Sequence, residues 1–324
     1  MAFNGGGSRS GEMESENQTL VTEFLILGLT DNPQLQPFLF LLFLTIYFLT
    51  VLGNVTILVV TCFDSRLRMP MYFFLSNLSF LDVCYTSVTV PRMLLNLLSQ
   101  FKAISYTACI SQLYFFIVFA GTECFLLTAM AYDRYLAVCK PLRYPALMDN
   151  RRLLLLATAA WGTGIFNATS HISFTVRLVF CGPNEIDHFL CDIRELLKLA
   201  CSSTRNNQLE IFLVGGTLRI TSFCLTLGSY VPIIITVLKI RSEESRKKTF
   251  STCASHLTVV VLYYGTLNFV YGRQTSGNTL YMSKMMSVMF SVVIPMLNPL
   301  IYTLRNQQVK GAIVNFWPQI SANF

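Results

Sequence analysis

Charge is what this sequence has least of: 13% of its 324 residues are Asp, Glu, Lys or Arg, about half the share of an ordinary soluble domain. With 53% hydrophobic residues and a mean hydropathy of +0.53, the chain needs lipid as its solvent. Catalytic signatures are missing as well. No phosphate-cradling glycine loop, nucleophile elbow or zinc-protease motif occurs, so an enzyme is not expected. Nor is there the short alternating pattern that builds a membrane β-barrel. A transporter or channel would need a continuous polar path and usually shows internal repeats; only the isolated Asp82, Glu123 and Arg219 speak for one. The opening residues, MAFNGGGSRSG, lack the basic start and apolar core of a cleaved signal peptide, so the first span is expected to start insertion itself.

What is present in quantity is apolar sequence in helix-length runs. A hydrocarbon core about 30 Å thick takes about 20 apolar residues as a helix, whose backbone satisfies its own hydrogen bonds. Seven runs qualify, at about 38–62, 70–92, 109–133, 152–172, 208–238, 250–272 and 280–303. They predict an all-α membrane protein: a seven-helix bundle over 38–304, an N-terminal tail over 1–37, and a C-terminal tail over 305–324 containing a short amphipathic helix.

With residue 1 outside, the inner loops and tail hold fourteen Lys and Arg against five acids, and the outer segments nine against ten. The positive-inside rule then sets the N-terminus outside. The net charge of +7 becomes a membrane face rather than a nucleic-acid footprint. Cys109, Cys181, Cys191 and Cys201 fall outside, where disulfides persist, and four cysteines permit three pairings. His188, Cys191 and Asp192 also have a metal-like spacing, but an oxidised cysteine is the better expectation. Asn17-Gln18-Thr19 is the usable glycosylation sequon, since Asn54, Asn77 and Asn167 head sequons inside spans.

The third run ends in MAYDRYLAVC (130–139), on an adjacent acid and base, Asp133 and Arg134. Alone, the pair reads equally as a snorkelling interfacial arginine or as a switch whose arginine is held by its carboxylate and then released. Further stretches accompany it: Gly53-Asn54, PMYFFLSNLSFLD (70–82), MAYDRYLAVCKPLRY (130–144), Ser229-Tyr230, FSTCASHL (250–257) and PMLNPLIYTLRN (295–306). In this order, over about residues 20 to 312, they resemble the olfactory receptors, a branch of the rhodopsin-like G-protein-coupled receptors. Three positions depart from the family's usual residues: Arg68 stands for His, Thr249 for Ala and Glu195 for Pro. The stretch MESENQTLVTEFLILGL from Met13 is similar to a complete family N-terminus, which makes the residues before it read as an extension and leaves Met1 and Met13 as alternative starts.

The resemblance implies an odorant receptor of the plasma membrane. It would bind small, mostly neutral organic ligands in the outer half of the bundle and activate a stimulatory, olfactory-type heterotrimeric G protein to raise cAMP. A chemoreceptor of the same family working outside the nose is the nearer alternative. The family pattern further implies disulfides Cys109–Cys191 and Cys181–Cys201, and a ligand lining of Phe116, Ile117, Ala120, Gly121, Val214, Leu218, Tyr264, Leu267, Tyr271 and Ser291. No acid occupies the Phe116 position, where receptors for biogenic amines carry Asp, so an ammonium ligand lacks a counter-ion. The coupling residues implied are Asp133, Arg134, Tyr135, Tyr230, His256, Asn298, Pro299 and Tyr302, with Tyr230 and Tyr302 turning toward Arg134 on activation. Asp82 with Glu123 becomes a candidate sodium site, and no other cofactor is expected. Asn54, Asp82 and Asn298 are expected to bond to one another, and Pro299 to interrupt the last helix. Arg219 has three readings: a partner for Glu123, a donor to a pocket acceptor, or the mark of a nonfunctional receptor.

Overall fold

A computed structural model of the protein describes residues 21–64, 67–99, 102–181, 183–272, 280–305 and 309–314. The sequon at Asn17, both alternative starts and most of the C-terminal tail lie outside the described residues. Among those described, seven helices are long and apolar enough to cross a membrane: α1 (Gln36–Phe63), α2 (Pro70–Leu98), α3 (Tyr106–Cys139), α4 (Asn150–Thr175), α5 (Arg205–Leu238), α6 (Glu243–Tyr271) and α7 (Tyr281–Thr303).

Several helices outrun the apolar stretches that announce them, because polar caps rather than hydropathy set their ends. Ser105 Oγ accepts from the Ala108 amide, Asp149 from that of Arg152, and Ser242 Oγ from that of Ser245. Each satisfies a donor left free in the first turn. Pro70 opens α2, where a missing amide hydrogen costs nothing. α3 runs on past Asp133 to Cys139, so the acid–base pair sits within its last turns rather than at its end.

α3 is the axis of the bundle, packed on α2, α4, α5 and α6. Its most apolar stretch is 61% buried, against 17% for α1, which lies at the periphery on α2 and α7. Phe38, Phe48, Phe63, Phe212, Val231 and Leu238 stay exposed on the outer faces, as residues in contact with lipid chains do. A short helix at 309–314 follows α7, with its own Val309 and Ala312 buried.

One end of the bundle carries a small sheet that the sequence reading missed. β1 (Glu23–Ile26), within the stretch expected to be a tail, pairs antiparallel with β2 (Ala103–Ser105) and parallel with β3 (Glu185–Ile186). Phe24 and Ile26 point inward, fully buried against Ile104, Ile186 and Phe180. The same end holds both disulfides, Cys109–Cys191 and Cys181–Cys201.

Candidate functional site

Below the disulfide end, between α3, α4, α5 and α6, lies a cavity of about 110 Å³. α3 offers it one or two residues per turn, Leu113, Phe116 and Ile117, Ala120 and Gly121, and Cys124 and Phe125, as a helix face of this spacing must. α4 comes close because Gly121 meets Gly164: a Cβ on Gly121 would lie 3.1 Å from the Gly164 Cα. Of the expected lining, Phe116, Ile117, Ala120, Gly121, Leu218, Leu267 and Tyr271 meet on this cavity.

Val214, Tyr264 and Ser291 stand elsewhere. Val214 falls in the π-helical turn Ile211–Gly215, whose extra residue per turn puts Ile211 and Gly215 on the wall instead. Tyr264 is buried beneath, donating to the Cys124 carbonyl at 3.2 Å, next to Tyr263, which donates to the Ala120 carbonyl at 2.5 Å. Ser291 is buried on α7 and donates to the Ser287 carbonyl at 2.8 Å. The two tyrosines therefore tie α6 to α3 at the two carbonyls directly under the cavity.

Sequence reasoning overlooked the α4 wall, Thr163, Asn167 and His171, although polar residues at intervals of four in an apolar span point to one inward face. His171 Nδ1 pairs with Glu210 Oε2, both side chains being buried. Arg219 is also on the cavity wall. It forms no ion pair with Glu123, which removes the first of its three readings among the described residues. Tyr271 gives its hydroxyl to Asp192 Oδ2 at 3.3 Å, with the Arg194 guanidinium 4.9 Å from its ring, so the cavity sees the ring more than the hydroxyl.

Midway down the bundle Asn298 Nδ2 donates to Asp82 Oδ2 at 3.0 Å. Asn54 joins differently from expectation: its amide donates to the Pro295 carbonyl at 3.1 Å. That carbonyl is the one left free because Pro299, four residues on, has no amide hydrogen. Asp82 Oδ1, both Glu123 oxygens and Asn298 Oδ1 are buried without a hydrogen-bond partner. Glu123 and Asp82 also lie within electrostatic reach of one another. Such orphaned oxygens call for a proton or a hard cation, and an all-oxygen donor set fits sodium.

At the opposite end from the disulfides, Arg134 shares a small cleft with Met71, Met130, Ser255, His256 and Tyr302. Tyr230 hydrogen-bonds His256 Nδ1 at 2.6 Å and stacks on its ring. The Tyr302 hydroxyl is buried and unpartnered. Asp133 is engaged by Tyr144, whose hydroxyl donates to Oδ1 at 2.8 Å, and no ion pair joins Asp133 to Arg134 among the described residues. Burial and the neighbouring carboxylate raise the Tyr144 phenol above its ordinary value, keeping it a donor. Tyr135 is half-buried under Lys140, whose Nζ is 5.5 Å from its ring.

The loop over the cavity is tightly made. Gln112 accepts from the Cys191 amide at 3.1 Å and donates to the Val88 carbonyl at 2.9 Å. His188 accepts from the Leu190 amide on Nδ1 at 3.3 Å, and burial pushes its imidazole down to about 4. With Cys191 oxidised, the metal-like spacing at 188–192 holds no thiolate.

Among known proteins, the family model described as olfactory receptor matches residues 43–319 of this chain. The mouse (Mus musculus) protein named olfactory receptor 5G9 is 48% identical over 93% of this chain and 96% of its own length. The human (Homo sapiens) protein named olfactory receptor 12D1 is 52% identical over 91% and 93%. The crystal structure of squid rhodopsin superposes with a TM-score of 0.68 over 89% of this chain and 87% of that one, at 17% identity, a likeness of fold.

Proposed function

Because this chain belongs to the olfactory receptor family, multi-pass membrane receptors rather than enzymes, we propose that it is an odorant receptor of the plasma membrane with its N-terminus outside. The cavity takes small, mostly neutral organic molecules, and the Arg134 cleft opens to a stimulatory, olfactory-type G protein that raises cAMP. One observation carries this reading. A single helix, α3, lines the cavity through Phe116 and the coupling cleft through Arg134, ends that a rise of 1.5 Å per residue sets about 27 Å apart. A ligand pressing on Ala120 and Cys124 bears on the carbonyls that hold Tyr263 and Tyr264, and α6 carries that displacement to His256 and Tyr230 beside Arg134.

Such a ligand binds modestly. Ten heavy atoms at about 0.5–0.8 kcal/mol each gain roughly 5–8 kcal/mol, a micromolar to sub-millimolar Kd. Within the same proposal, Asp82, Glu123 and Asn298 hold a sodium ion whose charge offsets the two carboxylates. The experiment is an odorant panel against the receptor expressed with a cAMP reporter. Odorant-evoked cAMP supports the reading; odorant-evoked ion flux without cAMP would replace it with a channel.

A further inference from the structure

We propose that the cavity prefers a ligand bearing one carboxylate, which Arg219 receives. The inference rests on the reading of the cavity as the ligand site and adds to its neutral ligands a favoured acidic class. Arg219 lies on the cavity wall, and its Nε is buried without a hydrogen-bond partner. No carboxylate among the described residues lies within ion-pair distance of it. Of the acids next in sequence to lining residues, Glu210 pairs with His171, Asp192 accepts from the Arg194 amide at 2.9 Å and the Tyr271 hydroxyl, and Glu123 faces Asp82 rather than Arg219. An arginine within a span costs roughly 2.5–3.5 kcal/mol even on insertion scales, and such residues almost always face the bundle interior or a cavity and pair with a counter-charge or with backbone carbonyls. Among the described residues none does so for Arg219, and the cavity's occupant is left to supply the partner.

A guanidinium presents a planar fork of donors that matches a carboxylate in two parallel bonds. On the same cavity wall, Asn167 Oδ1 is buried without a donor and can accept from a hydroxyl or amide elsewhere on the ligand. The facing wall of Phe116, Ile117 and Leu267 is apolar and suits a hydrocarbon tail. Head and tail together describe a small carboxylic acid with an aliphatic or aromatic chain.

The test compares butanoate, hexanoate and octanoate with their methyl esters and alcohols, on wild type and Arg219→Met, reading cAMP in cells and thermal stabilisation of the purified receptor. Arg219→Met keeps the side chain's length and removes its charge. We expect at least one acid to act about ten- to hundredfold below its ester in concentration. That advantage should vanish in Arg219→Met at an equal surface level, the acids losing far more potency than the esters, and Arg219→Lys should restore part of it. Esters equal to acids on wild type, acids unaltered by Arg219→Met, or stabilisation by neutral odorants alone would overturn the carboxylate site. Acid stabilisation lost in Arg219→Met without any cAMP would leave the site standing and overturn the signalling reading instead.

Discussion

The two ends of the bundle are built on opposite principles. At one, two disulfides, a three-stranded sheet, the Lys284–Asp187 pair at 2.5 Å and the Glu195–Lys198 pair at 2.6 Å clamp loops and helices together. At the other, helices and loops are tied by side-chain hydrogen bonds, among them Tyr144 to Asp133, Tyr230 to His256 and to the Cys253 carbonyl, Cys139 to Thr236, and Thr61 to Ser76. Among the described residues the Tyr302 hydroxyl there has no hydrogen-bond partner. A clamped end can hold a cavity in one shape, whereas an end held by exchangeable hydrogen bonds can settle into a second arrangement at small cost. Under the proposed function, the difference suits the first end to recognition and the second to switching.

The largest effect should come from unclamping. Removing a native disulfide typically costs about 2–5 kcal/mol, so Cys109→Ser or Cys191→Ser should lower surface receptor roughly tenfold or more, as read by flow cytometry of an N-terminal epitope on intact cells. Unchanged surface level would mean that the clamp does not matter.

Next in size, Arg134→Ala should abolish agonist-evoked cAMP while leaving surface level and ligand binding in place, since the cleft is remote from the cavity. Equal signalling per surface receptor would return Arg134 to a snorkelling role.

Tyr144→Phe tests whether the Arg134 end is held by side-chain hydrogen bonds. Losing one such bond is worth about 0.5–1.5 kcal/mol net, so basal cAMP should rise by roughly two- to tenfold. A basal level unaltered or lowered would show that Asp133 is held by something else.

At the clamped end His188 brings a pH dependence. Its folded pKa of about 4 lies below the ordinary 6.5. The neutral imidazole's contribution is therefore complete above about 6.5 and is lost as pH falls through that window toward 4. The Tm of the purified receptor should drop across it, and His188→Gln should flatten that part of the curve. An identical curve for the variant would remove His188 from the clamp.

The smallest effect is expected of Tyr271→Phe. Its hydroxyl is committed to Asp192, so potency should fall by about threefold or less and alike for oxygenated and hydrocarbon agonists. A loss confined to oxygenated agonists would show the hydroxyl turning to the ligand.

The spans themselves were legible because each is a long apolar run, and the Asp133-Arg134 pair because charge is so scarce. What escaped depends on partners distant in sequence. β1 is four residues, EFLI, that make sense only beside 103–105 and 185–186. The π-turn at 211–215 ends at Gly215, close against α4, where an added Cβ would lie 3.1 Å from His171 Nε2. Asn54 was expected among the polar side chains, but the carbonyl freed by Pro299 was the stronger claim on it. The α4 wall was readable in Thr163, Asn167 and His171 and was overlooked.

The central claim is that cavity and cleft are two sites of one equilibrium, and coupling between binding sites is reciprocal. Agonist Kd for the purified receptor should therefore be measured with and without a saturating stimulatory G-protein heterotrimer. The account predicts binding tighter by about five- to 150-fold with the heterotrimer, and no difference for Arg134→Ala. The same Kd in both conditions for the wild-type receptor would contradict it.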